Sequence, residues 1–298
     1  MCEEGAVGVV RDPLRGRVRP EPEHTDGQIV AAMSPIPPAR WAVLTGAGIS
    51  TDSGIPDYRG PGSPARTPMT VQTFLSHPAQ RARYWARGWI GWKRMTAVHP
   101  NAGHRALARI APLGIITQNV DGLHQAAGSE PVIDLHGRLD RVVCLDCGLT
   151  LGRDRVQEEL DALNPDFLAE LAVSPETLET APDGDVELEH TAGFRVYDCP
   201  RCGGLLKPDV VYFGESVPRP RVDAAFALVE EAAGLAVLGT SLAVHSGLRF
   251  VRAAVKAGMP VVVVTDGPTR ADELPVLRSV SRVADFLAAW EGALEGAG

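Results

Sequence analysis

The sequence predicts an α/β fold: a Rossmann-like parallel sheet domain with an inserted small module, part helical and part four-cysteine and zinc-binding. Three observations carry this. Apolar runs of four to five residues, bounded by Gly or Pro, recur at Trp41–Thr45, Gly114–Thr117, Pro131–Asp134, Leu235–Leu238 and Pro260–Val264. Stretches of helical period flank them, as at His104–Ile110, Ala224–Ala233 and Leu248–Ala257. Short continuous apolar strands alternating with helices fit a parallel sheet covered on both faces. Two CxxC pairs, Cys144/Cys147 and Cys199/Cys202, then mark a separate segment between the third and fourth runs.

Composition narrows the class further. The chain has 298 residues, 45% hydrophobic and 22% charged, as in an ordinary globular protein. Its 31 glycines and 24 prolines are too few for a collagen-like or low-complexity chain. No stretch approaches the ~18 consecutive apolar residues of a membrane span. The net charge is −8, and twelve carboxylates against one arginine crowd residues 154–190. That segment is open to two readings, a solvated insertion or a surface that steers Lys-rich partners. No basic stripe marks a nucleic-acid interface, so neither nucleic acid nor membrane is an expected partner.

Taken in order, residues 1–38 are rich in Arg, Glu, Pro and Gly and end in the Pro-rich stretch Ser34–Pro38. This predicts a disordered tail and a stiff linker, with the folded unit at 39–298. Acidic residues in the tail argue against a mitochondrial presequence, and no apolar signal core is present. The expected location is cytoplasmic. The first strand runs directly into Gly46-Ala47-Gly48. A helical insertion follows at about 58–98, where Tyr84, Trp85, Trp89 and Trp92 form an apolar stripe at helical spacing. The second interruption is the four-cysteine segment at about 141–206.

Chemistry concentrates where strands end. Gly46, Ala47 and Gly48 with Ser50 form a tight turn into a helix start, suited to a pyrophosphate or simply to a turn. The turn departs from the dehydrogenase fingerprint, because Thr51 stands at the third glycine and no acidic residue closes a second strand ~20 residues on. A hydride-transferring dehydrogenase is therefore disfavoured. Asp57, Tyr58 and Arg59 follow in a Pro- and Gly-punctuated loop, as a local ion pair or a clamp on a cofactor ring. Gln118, Asn119, Val120 and Asp121 leave the second strand, and His136 leaves the third. Ligands of doubly wound sheets bind at such carboxyl ends, and His is the side chain suited to acid–base work near neutral pH. Gly239, Thr240 and Ser241 suit a phosphate or ribose hydroxyl.

The cysteine pairs are 51 residues apart, and each is followed by Gly148 or Gly203. Four thiolates with no open position make a structural zinc site rather than a catalytic one. A redox pair is the weaker alternative, since neither CxxC opens a helix after a strand.

The motifs GAGIS, SGIPDYRG, TQNVDGLH, DLHG, the paired CxxC, LKPDVVYFGE, GTSLAVHSG and GPTR, in that order, resemble the sirtuin family. The PDYR spelling and the run around Cys144 are similar to its class II-like branch. The resemblance covers about 41–290. It implies an NAD domain with a small zinc-plus-helical module and an acyl-lysine peptide in the cleft between them. Gly46, Ala47 and Gly48 would cradle the pyrophosphate, with Ser50 and Asp57 nearby. Tyr58 would cover the nicotinamide ribose and Arg59 lie alongside. Gln118 would contact that ribose, and Asn119, Val120 and Asp121 would form the nicotinamide pocket. Gly239, Thr240, Ser241, Thr265, Asp266 and Gly267 would take the adenosine half. Val211, Tyr212, Phe213, Gly214 and Glu215 would pair with the substrate peptide. Cys144, Cys147, Cys199 and Cys202 would hold one structural zinc.

The implied reaction consumes NAD as co-substrate. The acyl oxygen attacks the nicotinamide ribose and expels nicotinamide; His136 is the general base, with Asn119 and Asp121 assisting. The products are free lysine and 2′-O-acyl-ADP-ribose. Two departures stand out: Thr265 where relatives usually carry Asn, and Ser246-Gly247 where Pro is common. The Tyr and Arg that mark desuccinylating relatives are not evident in the helical insertion. The alternative readings are a protein mono-ADP-ribosyltransferase using the same site, and a non-catalytic zinc-ribbon scaffold. The scaffold has no need of His136, Asn119 and Asp121.

Overall fold

Short all-apolar segments such as Val261–Val264 cannot satisfy both faces alone, and the chain stacks them in parallel. The computed structural model describes residues 13–14, 16–57, 69–171, 184, 186, 188 and 191–296. In chain order the first elements are α1 (Asp26–Met33), β1 (Trp41–Thr45), α2 (Val71–Ser76), α3 (Pro78–Met95), α4 (Ala102–Ile110), β2 (Gly114–Thr117), α5 (Leu123–Ala126) and β3 (Val132–Asp134). Then come β4 (Gly137–Cys144), β5 (Thr150–Gly152), α6 (Arg153–Leu163), α7 (Phe167–Leu171) and β6 (Leu206–Val210). The chain closes with α8 (Arg219–Glu231), β7 (Gly234–Leu238), α9 (His245–Lys256), β8 (Val261–Val264), β9 (Leu277–Ser279) and α10 (Val283–Glu295).

The large sheet has the order β3-β2-β1-β7-β8-β9, and every neighbouring pair is parallel. Alternate residues face opposite layers, as the strand period of two requires. Trp41, Val43, Leu238, Val262 and Val264 pack with Ile29, Leu107, Phe286 and Trp290. Ala42, Leu44, Leu235, Val261 and Val263 pack with Ala225, Leu228, Phe250 and Val251 on the other face. Both faces are dry, so these strands carry no polar alternation. None of the described helices is long and apolar enough to cross a membrane.

The expectation of a disordered tail over 1–38 is corrected for its latter part. Residues 26–33 form a helix opened by a capping box, in which Thr25 and Gln28 satisfy each other's backbone N–H groups. Ile29, Val30 and Met33 are buried against the α10 layer. A Thr-x-x-Gln signature ahead of an apolar stripe outweighed the surrounding Pro and Arg content.

The smaller sheet is antiparallel, in the order β5-β4-β6, and packs with α2, α3, α6 and α7 around Trp85, Trp89, Val142, Val156 and Leu160. Arg153 is buried here with its guanidinium 4.8 Å from the Trp85 ring centre, donating to the Gly88 carbonyl at 3.0 Å. At the sheet's far end the two CxxC turns meet. All four sulfurs lie within 4.8 Å of one another, and none is in a disulfide. Zn–S bonds of about 2.3 Å in a tetrahedron place sulfurs about 3.8 Å apart. The Cys144–Cys202 and Cys147–Cys199 pairs are 3.6 and 3.7 Å apart, so the four thiolates fit one zinc ion with no position left open.

Two outcomes follow from this packing. Ile29→Ala should destabilise the protein by ~2–5 kcal/mol in urea unfolding, the worth of a truncated core side chain, whereas a loose tail would leave the midpoint unmoved. Chelation confirmed by metal analysis, or Cys144→Ser, should unfold the small module and lower the melting temperature, because structural zinc contributes folding free energy. A melting temperature retained after complete zinc loss would overturn the metal's structural role.

Candidate active site

In-register pairing sets the geometry. Thr45 pairs with Thr117 on one side and Leu238 on the other, Thr117 pairs with Asp134, and Leu238 with Val264. The carboxyl ends of five strands thus lie in one row, and the loops that follow them meet. Together with the segment 211–215 they line a cavity of about 1290 Å³.

The β1 and β7 loops pack backbone against backbone. Gly239 has φ +64°, and a Cβ there would lie 2.6 Å from the Ile49 nitrogen. A Cβ on Gly48 would lie 2.9 Å from the Gly239 carbonyl oxygen. The Gly46 and Gly48 N–H groups donate to the Leu238 and Gly239 carbonyls at 3.1 and 2.8 Å. These glycines are therefore required first for loop–loop contact, and two of the cradle's amides are already used in making it. Thr240 Oγ1 donates to Gln118 Oε1 at 2.7 Å, which fixes the Gln118 amide in the cavity wall.

Behind the β2 loop lies a connected polar cluster. Ser50 Oγ donates to Asp121 Oδ2 at 2.7 Å and accepts from Asn119 Nδ2 at 3.0 Å; the Leu123 N–H donates to Asp121 Oδ1 at 2.9 Å. Burial pushes the Asp121 carboxyl up from its ordinary range, against the opposing pull of these hydrogen bonds. With the Ser50 proton on Asp121, His104 Nε2, 3.4 Å from Ser50 Oγ, is the donor of that contact. His104 and His124 meet edge to face, ring centres 5.0 Å apart, and His124 Nε2 lies 2.9 Å from Thr45 Oγ1. Burial pushes His104 down to about 4 and His124 to about 3. The sequence reading did not place these two histidines in the site, because only long-range packing brings them beneath Ser50.

His136 leaves β3 with both ring nitrogens engaged. Nδ1 lies 2.9 Å from the Gln118 carbonyl, so it carries the proton. Nε2 is then an acceptor, and Ser246 Oγ lies 2.7 Å from it. Burial pushes His136 down to about 4, partly offset by the Gln118 carbonyl. It is a neutral base at pH 7, with one tautomer selected by the backbone. Ser246 was noted in the sequence only as a departure. The helix α9 begins at His245, three residues before the stretch read from periodicity, which puts Ser246 in its first turn.

Residues 211–215 leave β6 as a loop, with a turn at Gly214 and a single bridge from Phe213 to Thr70, and this segment faces the same space. The Val211 N–H donates to the His136 carbonyl at 2.8 Å. Glu215 accepts from the Tyr212 N–H at 2.9 Å and from buried Lys207 Nζ at 3.0 Å, while that ammonium sits 4.4 Å from the Tyr212 ring centre. The Thr265–Gly267 loop is held from below by Arg278, which donates to the Thr265 carbonyl at 2.9 Å and the Gly267 carbonyl at 2.6 Å.

Of the residues expected from sequence, Gly46, Ala47, Gly48, Ser50, Asp57, Gln118, Asn119, Val120, Asp121 and His136 line this one cavity. Val211, Tyr212, Phe213, Gly214, Glu215, Gly239, Thr240, Ser241, Thr265, Asp266 and Gly267 line it as well. Tyr58 and Arg59 lie outside the described residues. The four cysteines stand apart from it.

The buried histidines make stability pH-dependent. All three have folded values below the ordinary 6.5, so the unfolded chain binds protons that the fold excludes. Stability should be full above pH 6.5 and fall as pH drops from there towards about 4, the value to which His104 and His136 are pushed. Urea midpoints measured across that range check it; a flat profile would show the histidines to be accessible.

A family model described as Sir2 family matches residues 46–246. An "NAD-dependent protein deacetylase 1" of Mycobacterium avium (strain 104) is 53% identical over 253 residues, covering 84% of this chain and 89% of the relative. A protein of the same name from Streptomyces coelicolor is 53% identical over 244 residues, covering 79% of this chain and 80% of the relative. Among solved structures, "Sir2-p53 peptide-NAD+" superimposes with a TM-score of 0.68 at 29% identity, over 92% of this chain and 99% of that one. The family match runs from the Gly46 turn to the Ser246 hydroxyl on His136, the two ends of the cleft, and this chain belongs to the Sir2 family.

Proposed function

We propose that this chain is an NAD-dependent protein-lysine deacylase that converts an acyl-lysine protein, NAD and one water to free lysine, nicotinamide and 2′-O-acyl-ADP-ribose. The observation that carries the reading is the neutral His136, its Nε2 an acceptor, in one cavity wall with two glycine-bearing loops and the segment 211–215.

The cavity fits a dinucleotide: two loops that meet at glycines contribute to its wall, together with hydroxyl- and amide-bearing residues such as Thr240, Gln118 and Asn119. When bound there, NAD supplies an electrophilic ribose carbon. Asn119 and Asp121, braced by Ser50, would hold the carboxamide of the nicotinamide and so orient its departure. Gln118, held by Thr240, would take a ribose hydroxyl. His136 would accept a proton at Nε2 in place of the Ser246 hydrogen bond, while the Gln118 carbonyl stabilises the cation through Nδ1–H. The segment 211–215, a loop after β6, would offer backbone groups to an extended substrate peptide, in the manner of strand addition. Thr265, Asp266 and Gly267 with Gly239–Ser241 would receive the adenosine half. The four thiolates would hold a zinc ion that supports the small module and takes no part in the chemistry.

The catalytic unit is assigned to 39–298 with α1 added to it, a helical insertion at about 58–98 and the zinc module at about 141–206. Four thiols kept reduced at a metal-type cluster fit a cytoplasmic location. ADP-ribosyl transfer to protein is not favoured, since the relatives compared above carry the deacetylase name.

Incubation with NAD and an acetyl-lysine peptide, read by mass, should yield O-acetyl-ADP-ribose; ADP-ribosylated protein without that product would favour the transferase. His136→Ala should cut deacylation ~100- to 10,000-fold, the usual worth of a positioned base. NAD binding and part of the nicotinamide exchange should survive, because those steps precede the base. Near wild-type turnover in this variant would make His136 a structural residue.

A further inference from the structure

The wall of the dinucleotide cavity includes residues far outside the family match. Leu14, Gly16, Arg17 and Arg19 line it beside the Thr265–Gly267 loop. Leu14 is only 6% exposed, so this is a seated segment. Arg17 pairs with Glu273 at 2.9 Å, and Arg19 pairs with Asp266. Further along, Asp26 at the start of α1 accepts from Ser281 Oγ at 2.9 Å, which ties the segment's other end to the same rim. With the segment in place the cavity still measures about 1290 Å³, so the segment walls the site without filling it.

We propose that Leu14, Gly16, Arg17 and Arg19 form the outer wall of the adenosine end of the NAD site, and that Arg17 and Arg19 contribute to NAD affinity there. This rests on the NAD-dependent reading above. The physical reason is charge. Asp266 lines a cleft that must take a doubly charged pyrophosphate, and Glu273 stands outside the lining, paired with the lining residue Arg17. Unpaired, they repel it; paired with two guanidiniums, they do not. The arginine side chains are 37% and 60% exposed, so each pair alone is weak and the segment is held mainly by Leu14. A bound dinucleotide adds an anionic partner and tightens the wall. This places cationic groups next to Thr265, where the chain lacks the family's usual Asn.

The test uses the full-length chain. Arg17→Ala/Arg19→Ala should weaken NAD and ADP-ribose binding about 3- to 10-fold by calorimetry, the worth of two exposed charge pairs. Turnover at saturating NAD should be unchanged, and added salt should shrink the difference from wild type. In the wild type, ADP-ribose should slow tryptic cleavage after Arg17, the bond to Val18, since Arg19 precedes Pro20 and is not cut. Equal or tighter binding by the variant overturns the proposal, as does cleavage that ADP-ribose leaves unaffected. A wild type that binds neither nucleotide would instead bring down the NAD reading itself.

Discussion

In-register parallel pairing is the constraint on which the molecule depends. Thr45 aligned with Thr117 and Leu238 brings the ends of β1, β2 and β7 to one level, so the loops after them must share space. They can share it only if one is nearly bare, which is why Gly46, Gly48 and Gly239 face each other. A slip of one residue along β7 would put Thr240 where Gly239 now meets Ile49, and would also turn every buried side chain of the strand to the opposite layer. The hydrophobic pattern of the strands and the architecture of the cleft are therefore one specification.

Burial then sets the protonation states that the chemistry needs. His104 and His124 are buried and His136 and Asp121 half-buried in the cleft wall, and burial pushes each towards its neutral form. Hydrogen bonds decide what remains. The Gln118 carbonyl selects the Nδ1–H tautomer of His136, and Ser50 with the Leu123 amide keeps a pull on Asp121 towards ionisation. The cost is the sensitivity to acid that comes with any buried neutral imidazole.

What could be read from sequence follows from how local its cause is. The strands β1, β2, β7 and β8 are continuous apolar runs, and burial on both faces leaves no other pattern available. Pro131 and Pro260 precede their strands instead of opening them, yet their carbonyls accept the Ile115 and Leu235 N–H groups at 2.9 and 3.0 Å. The cysteine spacing announced its own cluster. Harder to read was α1, whose short capping signature sits among prolines and arginines. The strand β9 was missed because Arg278 occupies its centre; the charge is tolerated there because backbone carbonyls and Asp272 surround it. Ser246, His104 and His124 act through partners far away in sequence, and no spacing encodes those contacts.

The same logic explains how a metal cluster distant from the chemistry still matters to it. The strand β4 starts at Gly137, one residue after His136, and β6 ends at Val210, where the segment 211–215 begins. Gly137 pairs with Val210, and the Val211 N–H holds the His136 carbonyl at 2.8 Å. Gly137 has φ +84°, and a Cβ there would lie 1.8 Å from the Asp209 carbonyl oxygen, so the crossing admits no side chain. The four cysteines lie beyond the far end of this pair, where Val142, Val143 and Cys144 match Pro208, Lys207 and Leu206, and the register breaks between there and Gly137. Through the Gly137–Val210 pairing the small module sets the spacing between the base and the segment offered to substrate, without any of its own side chains entering the reaction.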